Sequence, residues 1–422
     1  MQHRSSNHGS PMAHAWLLKL LLLVLAPLSA PAQESEPPRF QRALTFLDQP
    51  GALAWSEDLL QRLHVPPGFQ VNVFAQPGGN ARWMAVHTDG TIYLSRQKQG
   101  DVVLLRDKDH DGQADDIRTV ASGLALVHGL AIYDTRLYLI APTKVWIADI
   151  QGDGSLSAPR LLMEDLPDGG QHRARTIAVG PDHLLYMGVG STCNACDETN
   201  PENATLLRAN LDGSHRHIFA RGLRHTIGFG WHPVTGALWG MDMGTDERGN
   251  YLPPEELNHL VEGGHYGWPF CYGPQQVDRK LNVAPMGTTR EAYCAATVPS
   301  VLGYQAHSAP IGFQFYTAAQ FPAAYHGDAF IALRGSWNRT PPAGYKVVRL
   351  KFADGQPVAF EDFLTGFLVE ENAIPEAQRE PGVTYQFARL AGLAIATDGA
   401  LLIADDANGV IYRIAYTGDT SR

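Results

Sequence analysis

One pattern of apolar and polar positions recurs along the chain. A short strand of small and apolar residues leads into a tight turn of Gly, Asp or Pro, and an aromatic-rich strand follows. It runs through Met84–Leu94 (MAVHTDGTIYL), Gly129–Leu139 (GLAIYDTRLYL), Thr176–Met187 and Gly228–Trp239 (GFGWHPVTGALW). It returns, stretched by an insertion, as Ile311–Phe315 with Asp328–Ala332, and most clearly as Gly392–Ile403 (GLAIATDGALLI). Period-two alternation broken by turn residues marks β-hairpins. Most copies are followed by further strand-like runs, at Val102–Leu105, Lys144–Ala148, Thr205–Ala209, Tyr345–Leu350 and Val410–Ala415. Early copies lie roughly 45–50 residues apart and later ones roughly 80, which is propeller-blade spacing with insertions. Six copies predict an all-β fold, a six-bladed β-propeller with loop insertions. Val71–Phe74 is the candidate outer strand that closes the ring onto the last blade. Helix signals are few; the best is Pro253–Val261 (PPEELNHLV), with proline at its start.

Composition fits this picture. Of 422 residues 44% are hydrophobic and only 18% charged, with 42 Gly and 28 Pro, as expected of a turn-rich protein with a real core. The net charge of -10 excludes the basic footprint that nucleic-acid binding requires. At the N-terminus, Arg4 and Lys19 precede the apolar run Leu20–Ala26, and an Ala-Pro-Ala site follows at residues 30–32. That is the layout of an export signal, with an apolar core too short for a stable membrane span. The expected organisation is a signal peptide over 1–32, a lead-in over 33–64, the propeller over 65–416 and a tail over 417–422. The expected location is periplasmic or secreted.

All four cysteines, Cys193, Cys196, Cys271 and Cys294, follow the signal. In an oxidising compartment they read as two disulfides, most economically Cys193–Cys196 and Cys271–Cys294; a four-thiolate zinc site is the rival. Asp107, Asp109, Asp111 and Asp115 alternate around a glycine like the opening of a calcium loop, though no Glu closes it at the twelfth position. A structural Ca²⁺ site and a solvated acidic turn are both open readings.

A propeller gathers its inter-blade loops around one axial mouth. The polar residues flanking the inner strands are His128, His172, Arg224 with His225, Asp242–Asp246, Arg334, Trp337–Arg339 and Arg389. An imidazole among fixed cations can serve as a catalytic base beside an anion site.

The sequence resembles the glucose/sorbosone dehydrogenase family, soluble six-bladed propellers that use pyrroloquinoline quinone (PQQ), and in particular its sorbosone dehydrogenase-like branch. The matching segments are HRARTIAVGPD (172–182), CNAC (193–196), GLR (222–224) before WHP (231–233), LPPEELN (252–258), GGHYGWP (263–269), CYG (271–273), GSWNR (335–339) and GYKVVR (344–349). The likeness covers Val65 to Tyr416. It implies a PQQ- and Ca²⁺-dependent enzyme oxidising an aldose or an aldehyde sugar, with a separate electron acceptor, cytochrome or quinone. By position His172 matches the family's general base and Arg224 the arginine over the quinone carbonyl. Gly244 and Thr245 match the backbone carbonyls that hold Ca²⁺. Arg389 matches a partner of a PQQ carboxylate and Arg334 falls near a second cationic position; His225 and Asn338 complete the expected cofactor contacts.

Three departures stand out against the glucose-oxidising branch. His225 replaces an Asn, Ser191 stands where an Asp would orient the base, and Ala391 stands where a second PQQ-binding arginine would be. They keep open a propeller that binds a carbohydrate or protein partner without catalysis. A metal-dependent lactonase on the same fold would need a carboxylate-rich axial site, which the cationic axial set disfavours.

Overall fold

Alternation of small and aromatic residues yields antiparallel four-stranded sheets, each entered at its inner strand. In the computed structural model, which describes residues 49–374, 380 and 382–418, the first sheet runs Ala81–Val86, Ile92–Arg96, Asp101–Arg106 and Asp116–Ala121. The second runs Gly129–Tyr133, Arg136–Ile140, Val145–Asp149 and Arg160–Met163. Thr176–Val179, Leu185–Val189, Thr205–Ala209 and His217–Arg221 form the third, with Gly264–His265 added in parallel at its edge. The fourth is Thr226–Trp231, Leu238–Asp242, Glu255–His259 and Leu302–Tyr304. The fifth is Pro310–Phe315, Ala329–Leu333, Lys346–Ala353 and Gln356–Leu364.

The sixth sheet closes the ring. Leu390–Ile395, Leu401–Asp405 and Val410–Tyr416 come from the C-terminal end, and Phe69–Ala75 supplies the outer strand, pairing antiparallel with Val410–Tyr416. The expected closure by Val71–Phe74 is therefore what forms. Inner strands of successive sheets pack against one another all the way round, the sixth against the first. That close approach explains two glycines. A Cβ at Gly392 would lie 2.5 Å from the Arg82 carbonyl oxygen, and one at Gly312 2.4 Å from that of Ala391.

Between blades the faces are apolar. The largest cluster joins blades five and six through Phe321, Phe330, Phe363, Phe387 and Tyr412, all buried, and takes in Phe69 of the closing strand. The described part of the lead-in packs here as well: Gly51–Ala52 pairs with Tyr385–Gln386, making a small sheet with Leu368–Val369.

Pro253–Val261 is not a helix. Glu255–His259 is the third strand of blade four, pairing with Leu238–Asp242 and Leu302–Tyr304. Its residues Glu255, Glu256, Leu257 and Asn258 are all buried, so both faces are covered, and pairing on both edges overrides local helix propensity. Between the third and fourth strands of blade four lies the helix Arg290–Ala295, capped by the Thr289 side chain accepting from the Ala292 amide.

Both cysteine pairs are disulfides, Cys193–Cys196 and Cys271–Cys294, which leaves no thiolate for zinc. Among the described residues no helix is long and apolar enough to cross a membrane. The expected signal peptide lies outside the described residues.

Candidate functional site

At one mouth of the ring the loops enclose a cavity of about 340 Å³, within the usual range for small-molecule sites. His172, Arg224, His225, Gly244, Arg334, Asn338 and Arg389, each singled out from the sequence, line it. Arg82, Asp246, Glu255 and His307 line it too, with Trp337 at its rim and Ile227 and Ile311 among its apolar contacts.

His172 reaches the cavity from the loop before the inner strand of blade three. Its Nδ1 lies 2.8 Å from Ser191 Oγ and 3.1 Å from the Ser191 carbonyl oxygen. The Ser191 hydroxyl donates to the Cys193 carbonyl at 2.8 Å, so Oγ has only a lone pair to offer the ring. Both partners accept, which puts the proton on Nδ1 and leaves Nε2 as the basic nitrogen. Burial and then the Arg224 cation push the His172 pKa down to about 4, so the imidazole is neutral at neutral pH. Its ring packs 4.8 Å from that of His225. His225 is buried and held well below the usual histidine range by burial and by its charged neighbours.

Arg175, three residues after His172, is fully buried. It donates to the carbonyls of Pro142, Pro167 and His172, and so ties the His172 loop to blade two.

Arg224 stands at the start of blade four. Its main-chain amide and that of His225 donate to the buried Asp242 carboxylate. Its guanidinium donates to Asp246 Oδ2 at 2.8 Å and to Asn194 Oδ1 and the Asn194 carbonyl, each at 2.9 Å. Burial would raise the Asp246 carboxyl, but His307, Arg224 and Asn338 hold it at about 2. Asp246 is therefore ionised through the neutral range, and its carboxylate holds the Arg224 guanidinium. His307 donates through Nε2 to the Gly249 carbonyl at 2.7 Å. Burial opposes its charge, yet Asp246, that carbonyl and Glu255 raise its pKa.

Across the cavity lies a cationic cluster. Arg82 and Arg334 both donate to one carboxylate, Asp406. Arg389 donates to the carbonyls of Arg334 and Gly335, each at 3.1 Å. Three guanidiniums thus face two carboxylates, Asp406, which Arg82 and Arg334 bond, and the buried Asp405, which accepts from the Arg389 amide. Burial with mutual repulsion pushes Arg334 well below its usual range. Such a cluster calls for an anionic ligand. Two buried polar atoms here have no partner: one donor, Arg82 Nε, and one acceptor, Asn338 Oδ1. A rigid acid with several carboxylates fits this donor set, and PQQ is one.

The opposite wall is oxygen-rich. Gly244 lines it, its amide donating to Glu255 Oε2 at 2.8 Å, with buried Thr245 next to it. A Cβ at Gly244 would come within 2.8 Å of Pro253 Cγ, so the backbone passes too closely for any side chain. Main-chain carbonyls beside Glu255 and Asp246 are of the donor class Ca²⁺ takes.

Other sequence candidates sit elsewhere. His128 donates to the Arg175 carbonyl and accepts from Arg82, orienting that guanidinium from behind. Arg339 turns to the Asn250 carbonyl. Asp107, Asp109 and Asp115 bring their carboxylates within 4.8 Å of one another, away from the cavity lining. Asp111 does not join them: its carboxylate accepts from the Gln113 amide. The long segment over residues 274–308 contributes His307. None of the described residues of 364–387 lines the cavity; they pack on the lead-in. Among the described residues no three metal-ligand atoms of His, Cys, Asp or Glu converge in the cavity within 4.8 Å of one another.

Arg82, Glu255 and His307 were not legible as site residues. Arg82 reads as one polar residue in an apolar inner strand, and Glu255 was hidden in the stretch with helix propensity. The available signal for Arg82 was its position, just before an inner strand's apolar run.

The chain is 28% identical over 378 residues to an uncharacterised protein of Borreliella burgdorferi, covering 86% of this chain and 93% of that one. It is 26% identical over 228 residues to a pyrroloquinoline quinone-dependent sugar dehydrogenase of Hypocrea jecorina, covering 47% of this chain and 48% of that one, so it spans about half of that relative. Among solved structures it superposes on the holo form of the pyranose dehydrogenase PQQ domain from Coprinopsis cinerea with a TM-score of 0.69. Identity there is 20%, covering 88% of this chain and 100% of the other. A calcium structure of a Trichoderma reesei family AA12 carbohydrate-active enzyme gives a TM-score of 0.69 at 21% identity, covering 84% and 97%. These structural likenesses carry the fold and agree with the six four-stranded sheets described above. The TrAA12-like family model matches residues 63–417, from the end of the lead-in through the last blade, and the chain belongs to that family.

Proposed function

We propose that this protein is a PQQ-dependent sugar dehydrogenase that oxidises an aldose or a sorbosone-like aldehyde sugar. The observation that carries the reading is the pairing, in one cavity, of a neutral imidazole whose Nε2 is free to accept with an arginine cluster short of carboxylates. PQQ-dependent relatives and the holo Coprinopsis domain support it.

In this reading Arg82, Arg334 and Arg389 hold the carboxylates of PQQ, and Asn338, whose Oδ1 lacks a partner, adds a hydrogen bond. The carbonyls of Gly244 and Thr245 hold Ca²⁺. When bound, the quinone supplies a hydride acceptor and the cation a Lewis acid. His172 removes the hydroxyl proton of the sugar, or of an aldehyde hydrate, at Nε2 as the carbon–hydrogen bond is cleaved. The Ser191 relay keeps the other nitrogen protonated throughout. Arg224, fixed by Asp246 and Asn194, presents a cation to negative charge developing at the acceptor. His225 packs beside the base, and Ile227 gives the same cavity an apolar wall that limits water. Export by the segment 1–32 and delivery of electrons to a separate cytochrome or quinone complete the reading. The two disulfides suit an oxidising compartment.

The experiment is dye reduction by the purified protein with PQQ and Ca²⁺, across aldoses, sorbosone and small aldehydes, with and without chelator. Turnover that requires both additions supports the reading. Failure to bind PQQ sinks it, in favour of a propeller that binds without catalysis; His172→Ala then leaves the binding function intact instead of abolishing turnover.

A further inference from the structure

The loop of residues 191–198, between the second and third strands of blade three, reaches the reactive side chains of the cavity from behind. Asn194 makes four hydrogen bonds to two other loops. Its Oδ1 accepts from Arg224 Nη2 at 2.9 Å and from the Asp246 amide at 2.8 Å. Its carbonyl accepts from Arg224 Nε at 2.9 Å, and its Nδ2 donates to the Asp246 carbonyl at 3.2 Å. One residue earlier, the Cys193 carbonyl accepts the Ser191 hydroxyl that orients His172. The Cys193–Cys196 disulfide closes Asn194 and Ala195 into a small covalent ring. Ala195 packs on the cluster of Phe270, Cys271, Leu281 and Cys294, so the ring is anchored over the second disulfide.

We propose that the Cys193–Cys196 ring is a positioning device, in which Asn194 holds Arg224 and Asp246 in register with His172. It rests on the dehydrogenase reading above and extends it to residues that do not line the cavity. An arginine side chain has many rotamers, so one contact alone does not hold it in a single orientation. Without the Asn194 side chain, Arg224 keeps the Asp246 carboxylate and the residue-194 carbonyl but loses the second acceptor at Nη2, and the Asp246 amide loses its partner. Asn194 receives both Nε and Nη2, which sets the plane of the guanidinium as well. The ring matters because Oδ1 and the main-chain carbonyl must point the same way. Closing a loop of this size removes the backbone freedom that would let them diverge.

The test compares Asn194→Ala, the double variant Cys193→Ser/Cys196→Ser and their combination. Residues acting through one contact give non-additive losses. Each variant is expected to lose turnover on the order of 10²-fold. KM for sugar and the affinity for PQQ should stay within about threefold. The combination should be no worse than the poorer parent. Asn194→Asp keeps the acceptor atoms but cannot donate to the Asp246 carbonyl, and should recover part of the loss.

A second readout needs no turnover. In the apoprotein the His172 titration, followed by NMR, should move upward alike in Asn194→Ala and in the cysteine variant, because Arg224 is one of the charges that keep the ring neutral. Additive losses overturn the proposal, as does an Asn194→Ala protein with unchanged turnover and an unmoved His172 titration. If the wild type neither binds PQQ nor oxidises sugar, the dehydrogenase reading fails, and the His172 titration alone decides the clamp. Should the cysteine variant not fold, the Asn194→Ala and Asn194→Asp pair decides it by the same two readouts.

Discussion

Nδ1 of His172 lies 2.8 Å from the Ser191 hydroxyl oxygen, which donates its own hydrogen bond to the Cys193 carbonyl. A serine here does half of what a carboxylate would do. It fixes the tautomer and the ring plane, but it brings no charge to raise the basicity of Nε2. The base is therefore weak and always available near neutrality.

A pH profile follows from this. His172 must be unprotonated to accept, and its pKa is pushed down to about 4. Turnover at subsaturating sugar should rise as pH climbs through about 4 and then stay level through neutrality. Ser191→Asp should move that acidic limb upward, since a carboxylate at Nδ1 stabilises the imidazolium. Ser191→Ala should lower turnover while leaving KM nearly unchanged. A limb near the ordinary histidine value in the wild type would contradict the assignment.

Arg389→Ala should weaken PQQ binding by roughly 10–100-fold, the worth of a charge-assisted hydrogen bond of about 1.5–3 kcal/mol. Arg82→Ala should do likewise, although no sequence motif marks Arg82. Titration of the apoprotein with PQQ, followed by tryptophan fluorescence, measures both. An Arg82→Ala protein with wild-type affinity would place Arg82 outside the cofactor site.

Buried carboxylates should make stability depend on pH. Burial, then the Asp242 charge, raises Glu256 from 4.5 to about 8, and burial raises Asp242 to about 6. A folded-state pKa above the unfolded one means the folded chain binds the extra proton. The contribution is complete below about 4.5 and is lost as pH rises toward 8. The slope reaches about 1.4 kcal/mol per pH unit for one proton. Glu256→Gln should flatten that part of the curve. Turning the neighbouring Asn258 amide over lets its partnerless Oδ1 accept from the new amide group, as it would from the protonated acid. Urea unfolding between pH 5 and 8 decides it, and an unchanged slope in the variant would refute the burial argument.

Ring closure can be tested at Phe69. Its ring meets those of Phe321, Tyr325, Phe363 and Tyr416 at centroid distances of 4.7, 5.2, 5.2 and 5.0 Å. Phe69→Ala should cost about 3–5 kcal/mol, because it unseats the strand that joins the two ends of the chain. A loss below about 0.5 kcal/mol, the range of ordinary surface substitutions, would mean that the closing strand contributes little.

The sequence by itself determined the blades. Period-two alternation and Gly-Asp turns act over a few residues, so the inner hairpin of each blade, as in Gly392–Ile403, can be read locally. The same holds for Val71–Phe74, whose apolar alternation leaves it in need of a partner. His172, Arg224, His225, Arg334, Asn338 and Arg389 were legible because they flank inner strands, and closing the ring brings all six to one cavity.

Tertiary structure decided the rest, because the deciding contacts join residues far apart in sequence. Glu255 became a strand residue under the cavity once blade four paired on both its edges. Arg82 and Asp406, 324 positions apart, meet only when the last blade docks on the first. The proton position on His172 rests on a serine hydroxyl whose own donor is already committed, a fact of three-dimensional bonding that residue types alone do not encode.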